Sequence, residues 1–270
     1  MSRLSELFAA RRSLGEIALL PYLTAGYPDP ASCIELFKAM LQAGADGFEI
    51  GVAFSDPMAD GLTQQRTNQR ALEHGATLHT ALDAARAIRR EAATAPIMFM
   101  SYYNPLLAFG EAEFCGAAVD AGADAVIVPD LPPEESEPLR AACSAAGLDY
   151  IFLLGPTSTP ERIRMVGRLA SGFIYCVSLV GVTGARRNLS SDLPDFLARV
   201  RAATSVPLVL GFGISRPEHV QAVREQVDGV IVASALADII ESAAPEDRIG
   251  AVAERVRELR AAASNEPVSA

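Results

Sequence analysis

The sequence predicts an α/β fold: a single (β/α)8 barrel with an extra N-terminal helix and a short helix after the last strand. Three observations carry this. Eight short apolar runs, rich in β-branched residues, punctuate the 270 residues. Ala-, Arg- and Glu-rich stretches with helical periodicity lie between them. The runs start at 17, 47, 96, 125, 149, 172, 207 and 229, so most intervals hold one βα unit. Strands apolar on both faces and separated by helices form a parallel sheet covered by helices. Eight such units in about 250 residues close a barrel.

The opening MSRLSELFAARRSLGE is a short amphipathic stretch and reads as the extra helix. The first strand, IALLPYLTAG (17–26), ends TAGYPDP, without the G-x-G-x-x-G turn that often opens a doubly wound sheet. ASCIELFKAMLQAG (31–44) leads to the second strand, GFEIGV (47–52). The long interval that follows holds a loop, an additional short helix near 62–73 and TLHTALDAARAIRREA (77–92). PIMFMSY (96–102) and AVIVPD (125–130) come next, then PEESEPLRAACSAAG (133–147). DYIFLL (149–154), GFIYCVS (172–178), PLVLGFG (207–213) and GVIVAS (229–234) complete the set. Ser215 and Glu218 read as a capping box for the helix after strand seven. Residues 1–262 form the barrel, and 263–270 a flexible tail.

Composition narrows the function. Lys and Arg number 23 against 33 Asp and Glu, a net charge of −10 with no basic block, which argues against nucleic acid and anionic membranes. Cys33, Cys115, Cys143 and Cys176 lie far apart and, with His74, His79 and His219, form no zinc spacing. They read as buried free thiols of a cytoplasmic protein. MSRLSELFAARRSLGE, without an apolar core or cleavage site, does not read as a secretory signal, and no apolar run approaches membrane-spanning length.

Barrel chemistry sits at the C-terminal ends of strands. In GFEIGVAFSDPMADGLTQQ (47–65), alternation places Phe48, Ile50 and Val52 towards the helices and Gly47, Glu49 and Gly51 inside. An interior carboxylate is costly unless paired or near water, and burial raises its pKa, which suits a general acid or base. An interior glutamate satisfied by backbone or water fits the strand equally well. Asp56-Pro57 and Asp60-Gly61 are turn dipeptides. One of these aspartates is a candidate partner for Glu49, and periodicity does not say which. Carboxylate-only metal binding is a weaker third reading. Glycines close strands six and seven, in SLVGVTGARR (178–187) and GFGIS (211–215), and strand eight ends VASA (232–235). Together with a short helix after strand eight they favour a phosphate site over simple turns. Tyr22, Met100, Tyr102, Ile127, Phe152, Tyr175 and Phe212 are large side chains at strand ends, able to line an apolar slot beside it.

LPYLTAGYPD (20–29), ADGFEIGVAFSDPMADG (45–61), MSYYNPLL (100–107), VPDLPPEES (128–136), SLVGVTGAR (178–186), GFGIS (211–215) and VASALADII (232–240) occur in one order. In these motifs the chain resembles the α chain of tryptophan synthase over nearly its whole length. The resemblance implies a (β/α)8 lyase that cleaves indole-3-glycerol phosphate to indole and glyceraldehyde 3-phosphate. It implies acid–base chemistry without a metal, by Glu49 and Asp60. It places Tyr102, Tyr175 and Phe212 along the substrate, with Tyr22, Met100 and Ile127 added to that slot from their places at strand ends, and Gly184, Gly213 and Ser234 at its phosphate. Thr183 becomes the lid residue that meets the aspartate on closure. The implied partner is a β chain, in an αββα tetramer, with pyridoxal phosphate held by that β chain and no cofactor in this one.

The chain departs from the family pattern at four places. Ala53 and Leu62 stand where prolines are usual, Gln64 where an apolar residue is usual, and Ala233 where a glycine precedes the phosphate serine. Three alternatives follow: a stand-alone lyase releasing free indole, a catalytically weak regulatory subunit, or another phosphate-binding barrel.

Overall fold

The computed structural model describes residues 2–177, 192–211 and 213–264. Eight parallel strands close a barrel in chain order: β1 Ala18–Thr24, β2 Phe48–Gly51, β3 Ile97–Met100, β4 Ala125–Ile127, β5 Asp149–Leu154, β6 Ile174–Val177, β7 Leu208–Gly211 and β8 Gly229–Val232. β8 closes on β1 with Ala18 opposite Gly229 and Pro21 opposite Val232. Each strand falls inside its expected apolar run.

Helix α1 (Arg3–Ser13) precedes β1. α2 (Pro30–Gln42), α3 (Leu62–Glu73) and α4 (Leu78–Glu91) follow, the last two filling the long interval after β2. α5 (Tyr103–Phe109), α6 (Glu111–Asp120), α7 (Glu137–Ala146), α8 (Pro160–Leu169) and α9 (Leu193–Ala203) continue the ring. α10 (Pro217–Val223), α11 (Ser234–Ser242) and α12 (Arg248–Ala263) complete it. Local chemistry fixes several starts. Asp29 accepts from the Ser32 N–H at 2.9 Å with Pro30 at the first turn, and Thr159 accepts from Arg162 N–H ahead of Pro160; such caps contribute about 1 kcal/mol each. The expected Ser215 capping box is not formed. α10 starts one residue later than such a cap would set it, with Arg216 as its N-cap, and the Ser215 N–H and hydroxyl lie 3.3 Å from His219 Nδ1 instead. Pro217 fixes that start, because proline is favoured at a first helical position and disfavours helical conformation in the residue before it.

Two apolar layers result. Phe48, Ile50, Phe99, Val126, Leu210 and Val230 face the helices, while Leu20, Tyr22, Met98, Met100, Ile127, Ile151, Tyr175, Val209 and Ile231 fill the barrel. Phe152, expected at the mouth, belongs to the outer layer, its ring 4.7 Å from that of Tyr150. All four cysteines are buried and free.

α1 plugs the N-terminal end. Leu4 and Phe8 join the interior cluster, with Phe8 edge-on to Phe173 at 6.0 Å. Around this plug, Asp46, Asp124 and Asp228 precede β2, β4 and β8. Each accepts a backbone N–H from a neighbouring strand, at Leu19, Ile97 and Leu208. Each is also paired with an arginine of α1: Asp46 with Arg11, Asp124 with Arg3, and Asp228 with Arg12. At the other terminus α12 runs to Ala263, which is buried with Ala262, and 265–270 lie outside the described residues. No helix among the described residues is long and apolar enough to cross a membrane.

Candidate active site

β2 carries Glu49 into the barrel as strand alternation requires: its neighbours Phe48 and Ile50 pack outward, and Glu49 lies between Tyr22 of β1 and Met98 of β3 in register. It is fully buried, and neither carboxylate oxygen has a hydrogen-bond partner among the described residues. Burial, followed by the nearby Asp60 charge, pushes its pKa up to about 8. Gly51, two residues on, leaves room for a ring. A Cβ there would lie 2.1 Å from the Tyr22 hydroxyl, and Gly211 plays the same part for Tyr175, at 2.2 Å. Strand glycines thus admit two tyrosines into the cavity around Glu49.

The loop after β2 decides which aspartate joins it. Asp56 is exposed and accepts from its neighbour Ser55 at 2.5 Å, a turn residue. Asp60 is buried and turned inward, where its charge acts on Glu49. Burial pushes the Asp60 pKa up to about 6, opposed by hydrogen bonds from the Tyr102 hydroxyl and from Asn68 Nδ2 at 3.2 Å. The pair is therefore asymmetric. Asp60 has two donors that stabilise its charge, and Glu49 has none among the described residues, so the shared proton resides on Glu49 near neutral pH. No group of three or more His, Cys, Asp or Glu is placed to hold a metal among the described residues.

Tyr102 does more than line a slot. As the N-cap of α5 it accepts the Ala59 N–H at 2.9 Å, stacks on Phe54 at 5.4 Å, and so holds both ends of the loop. Met100, Ile127 and Tyr175 are buried inside the barrel with Tyr22. The Tyr22 hydroxyl lies 3.3 Å from Thr24 Oγ1, which lies 2.9 Å from Thr67 Oγ1; Thr67 in turn donates to Gln64 Oε1 at 3.0 Å.

At the far side of the mouth, Gly213 has φ +85°, a left-handed conformation natural to glycine. Ser234 opens α11. Ala233 sits at φ −122°, so this turn does not use the left-handed conformation that favours glycine. Thr183, Gly184 and Phe212 lie outside the described residues. Asn68 is not among the site residues that the sequence points to. A signal for it exists in α3, whose buried face is Gln64, Thr67, Asn68 and Ala71, a polar stripe at helical spacing where an apolar one would be ordinary.

Comparison with known proteins identifies the family. The family model described as tryptophan synthase alpha chain matches residues 8–264. The tryptophan synthase alpha chain of Roseiflexus sp. (strain RS-1) is 52% identical over 260 residues, covering 96% of this chain and all of that protein. That of Chloroflexus aurantiacus is 49% identical over 97% and 98% of the two chains. Among solved structures, Mycobacterium tuberculosis tryptophan synthase superposes with a TM-score of 0.90 at 35% identity, covering 97% of this chain and 98% of that one. The alpha subunit from Legionella pneumophila str. Paris does so with 0.89 at 34%, over 97% and 98%. With a closed eight-stranded barrel, an inward Glu49–Asp60 pair and full-length similarity of this order, the chain belongs to the tryptophan synthase alpha chain family.

Proposed function

We propose that this chain cleaves indole-3-glycerol phosphate by a retro-aldol reaction, with Glu49 and Asp60 as the catalytic residues. The asymmetry of the buried carboxyl pair carries the reading. Protonated Glu49 delivers a proton to indole C3, forming the C3–H bond. The positive charge that develops at the ring nitrogen is stabilised by ionised Asp60. The bond between C3 and the first glycerol carbon then breaks, its electron pair staying on the ring. The hydroxyl on that carbon loses its proton to the carboxylate of Glu49 and becomes the aldehyde of glyceraldehyde 3-phosphate. Each proton and electron pair is accounted for, and Glu49 ends protonated as it began.

Met100, Ile127, Tyr22 and Tyr175 supply the apolar slot for the ring. The substrate phosphate is assigned to the turn at Gly213 and the uncapped first turn of α11 at Ser234, where backbone N–H groups and the helix dipole attract an anion to an acidic protein. Phe212, Gly184 and Thr183 are assigned to the same pocket and its lid on the family pattern.

The partner in this reading is a tryptophan synthase β chain holding pyridoxal phosphate, in an αββα assembly to which indole is passed. Met58 on the Asp60 loop and Leu62 at the start of α3 are 79% and 67% exposed, and Leu107 of α5 is 54% exposed. Such apolar side chains on catalytic loops suit a surface that a partner covers. Indole release by the purified chain, alone and then with a β chain, tests both parts. Slow release that accelerates on mixing is the expected result. Fast release indifferent to the β chain would make it a stand-alone lyase, and none in either case would overturn the assignment.

A further inference from the structure

The loop bearing Asp60 has little regular structure of its own, so the placement of the carboxylate must come from side chains that reach it. Asn68, on the buried face of α3 and 2% exposed, touches the loop at both ends. Its Oδ1 accepts the Phe54 N–H at 3.0 Å, where the chain leaves β2. Its Nδ2 donates to Asp60 Oδ2 at 3.2 Å and to the Gln64 carbonyl at 2.8 Å. Both amide protons and the carbonyl are thereby used, and the orientation is forced. A flipped amide would set N–H against the Phe54 N–H and oxygen against the Asp60 carboxylate.

Among the described contacts, Tyr102 also reaches the loop and Asp60, from the N-cap of α5. Gln65 holds only the Asp60 carbonyl, through Nε2 at 2.9 Å. Asn68 alone joins the start of the loop, the helix that follows it and the reacting carboxylate through one rigid amide. No other side chain of its size does this. Aspartate would offer only acceptors and a second negative charge, and leucine would leave the Phe54 N–H unpaired in a buried place.

We propose that Asn68 is the positioning residue of Asp60, fixing the direction of its carboxylate and its register to both ends of the β2–α3 loop. This rests on reading Asp60 as the ionised partner of Glu49. The hydrogen bond from Nδ2 is made to the charged form, so its loss favours protonated Asp60 and narrows the pH window in which Asp60 is ionised while Glu49 keeps its proton.

The test reads the carboxylate directly. In the full-length chain with carboxyl-labelled aspartate, carbon-13 NMR follows the titration of Asp60, assigned by Asp60→Asn, in the parent and in Asn68→Ala. The expected midpoint rises by about one unit, a tenfold gain in proton affinity. Indole release is followed across pH in parallel. With ionisation alone, kcat/KM falls about fivefold near pH ~6 and less than about twofold near pH ~7.5, while KM stays within about twofold. A merely structural role would lower activity by one factor at every pH. An unmoved Asp60 titration in a folded variant would overturn the proposal. Should Asn68→Ala fail to fold, Asn68→Ser, which is smaller and carries no amide donor or added charge, takes its place; an unmoved midpoint there would equally overturn it. Turnover by Asp60→Asn would instead remove Asp60 from the chemistry and leave the titration to decide Asn68.

Discussion

Glu49→Gln separates catalysis from stability in one substitution. Burial raises the folded-state pKa of Glu49 from 4.5 to about 8. A group whose folded pKa is raised contributes its stability fully below the unfolded value and loses it as pH climbs towards the folded one. At pH ~5 the unfavourable linkage is under about 1 kcal/mol; at pH ~8 it reaches about 4 kcal/mol, as an upper bound before relaxation around the site. Glutamine is isosteric and neutral, so it does not bear that cost. Glu49→Gln should therefore match the parent in urea denaturation at pH ~5 and exceed it by about 2–4 kcal/mol at pH ~8. It should release no measurable indole at either pH, having no proton to give. Equal stabilisation at both pH values would refute the argument that burial keeps Glu49 protonated, and retained turnover would refute its catalytic role.

Other substitutions check separate parts of the structure. Tyr102→Phe removes a donor to Asp60 and the acceptor of the Ala59 N–H; the Asp60 midpoint should rise above about 6 and kcat should fall about tenfold or more near neutral pH. Gly51→Ala drives a Cβ against the Tyr22 hydroxyl, and because that is the end of a side chain in a binding slot, KM should rise severalfold with the fold retained on circular dichroism. Asp46→Ala strips one partner from Arg11 and from Arg260, both of which keep Glu16, and the acceptor from the buried Leu19 N–H, which should cost about 1–3 kcal/mol in urea denaturation while leaving KM unchanged, since this cluster lies at the opposite end of the barrel.

Much of the catalytic strand is legible in the residues themselves. Glu49 points inward because a strand has a side-chain period of two and its neighbours Phe48 and Ile50 are too apolar to face anything but helices. The Ala233 departure looks consequential in sequence because backbone dihedrals are not written in residue names; at φ −122° it lies outside the left-handed region that favours glycine. Phe152 illustrates the reverse error. As a large side chain at a strand end it reads as a residue of the mouth, but its register sends it to the helices beside Tyr150.

The sequence by itself determined the eight strands, their order and the inward carboxylate, because strands buried on both faces must be apolar throughout and because periodicity is local. Only the tertiary structure decided between Asp56 and Asp60, since a loop has no period to project. Only it brought Tyr102 and Asn68, from α5 and α3, onto one carboxylate. The same holds for Arg3, Arg11 and Arg12, which close the barrel on aspartates at 124, 46 and 228. The repeated Gly-Ala-Asp at 44–46 and 122–124 hints at these anchors, but which arginine each takes depends on where closure of the barrel sets the plug. Hydrogen bonds between residues tens or hundreds of positions apart are consequences of closure, and closure is a property of the whole chain.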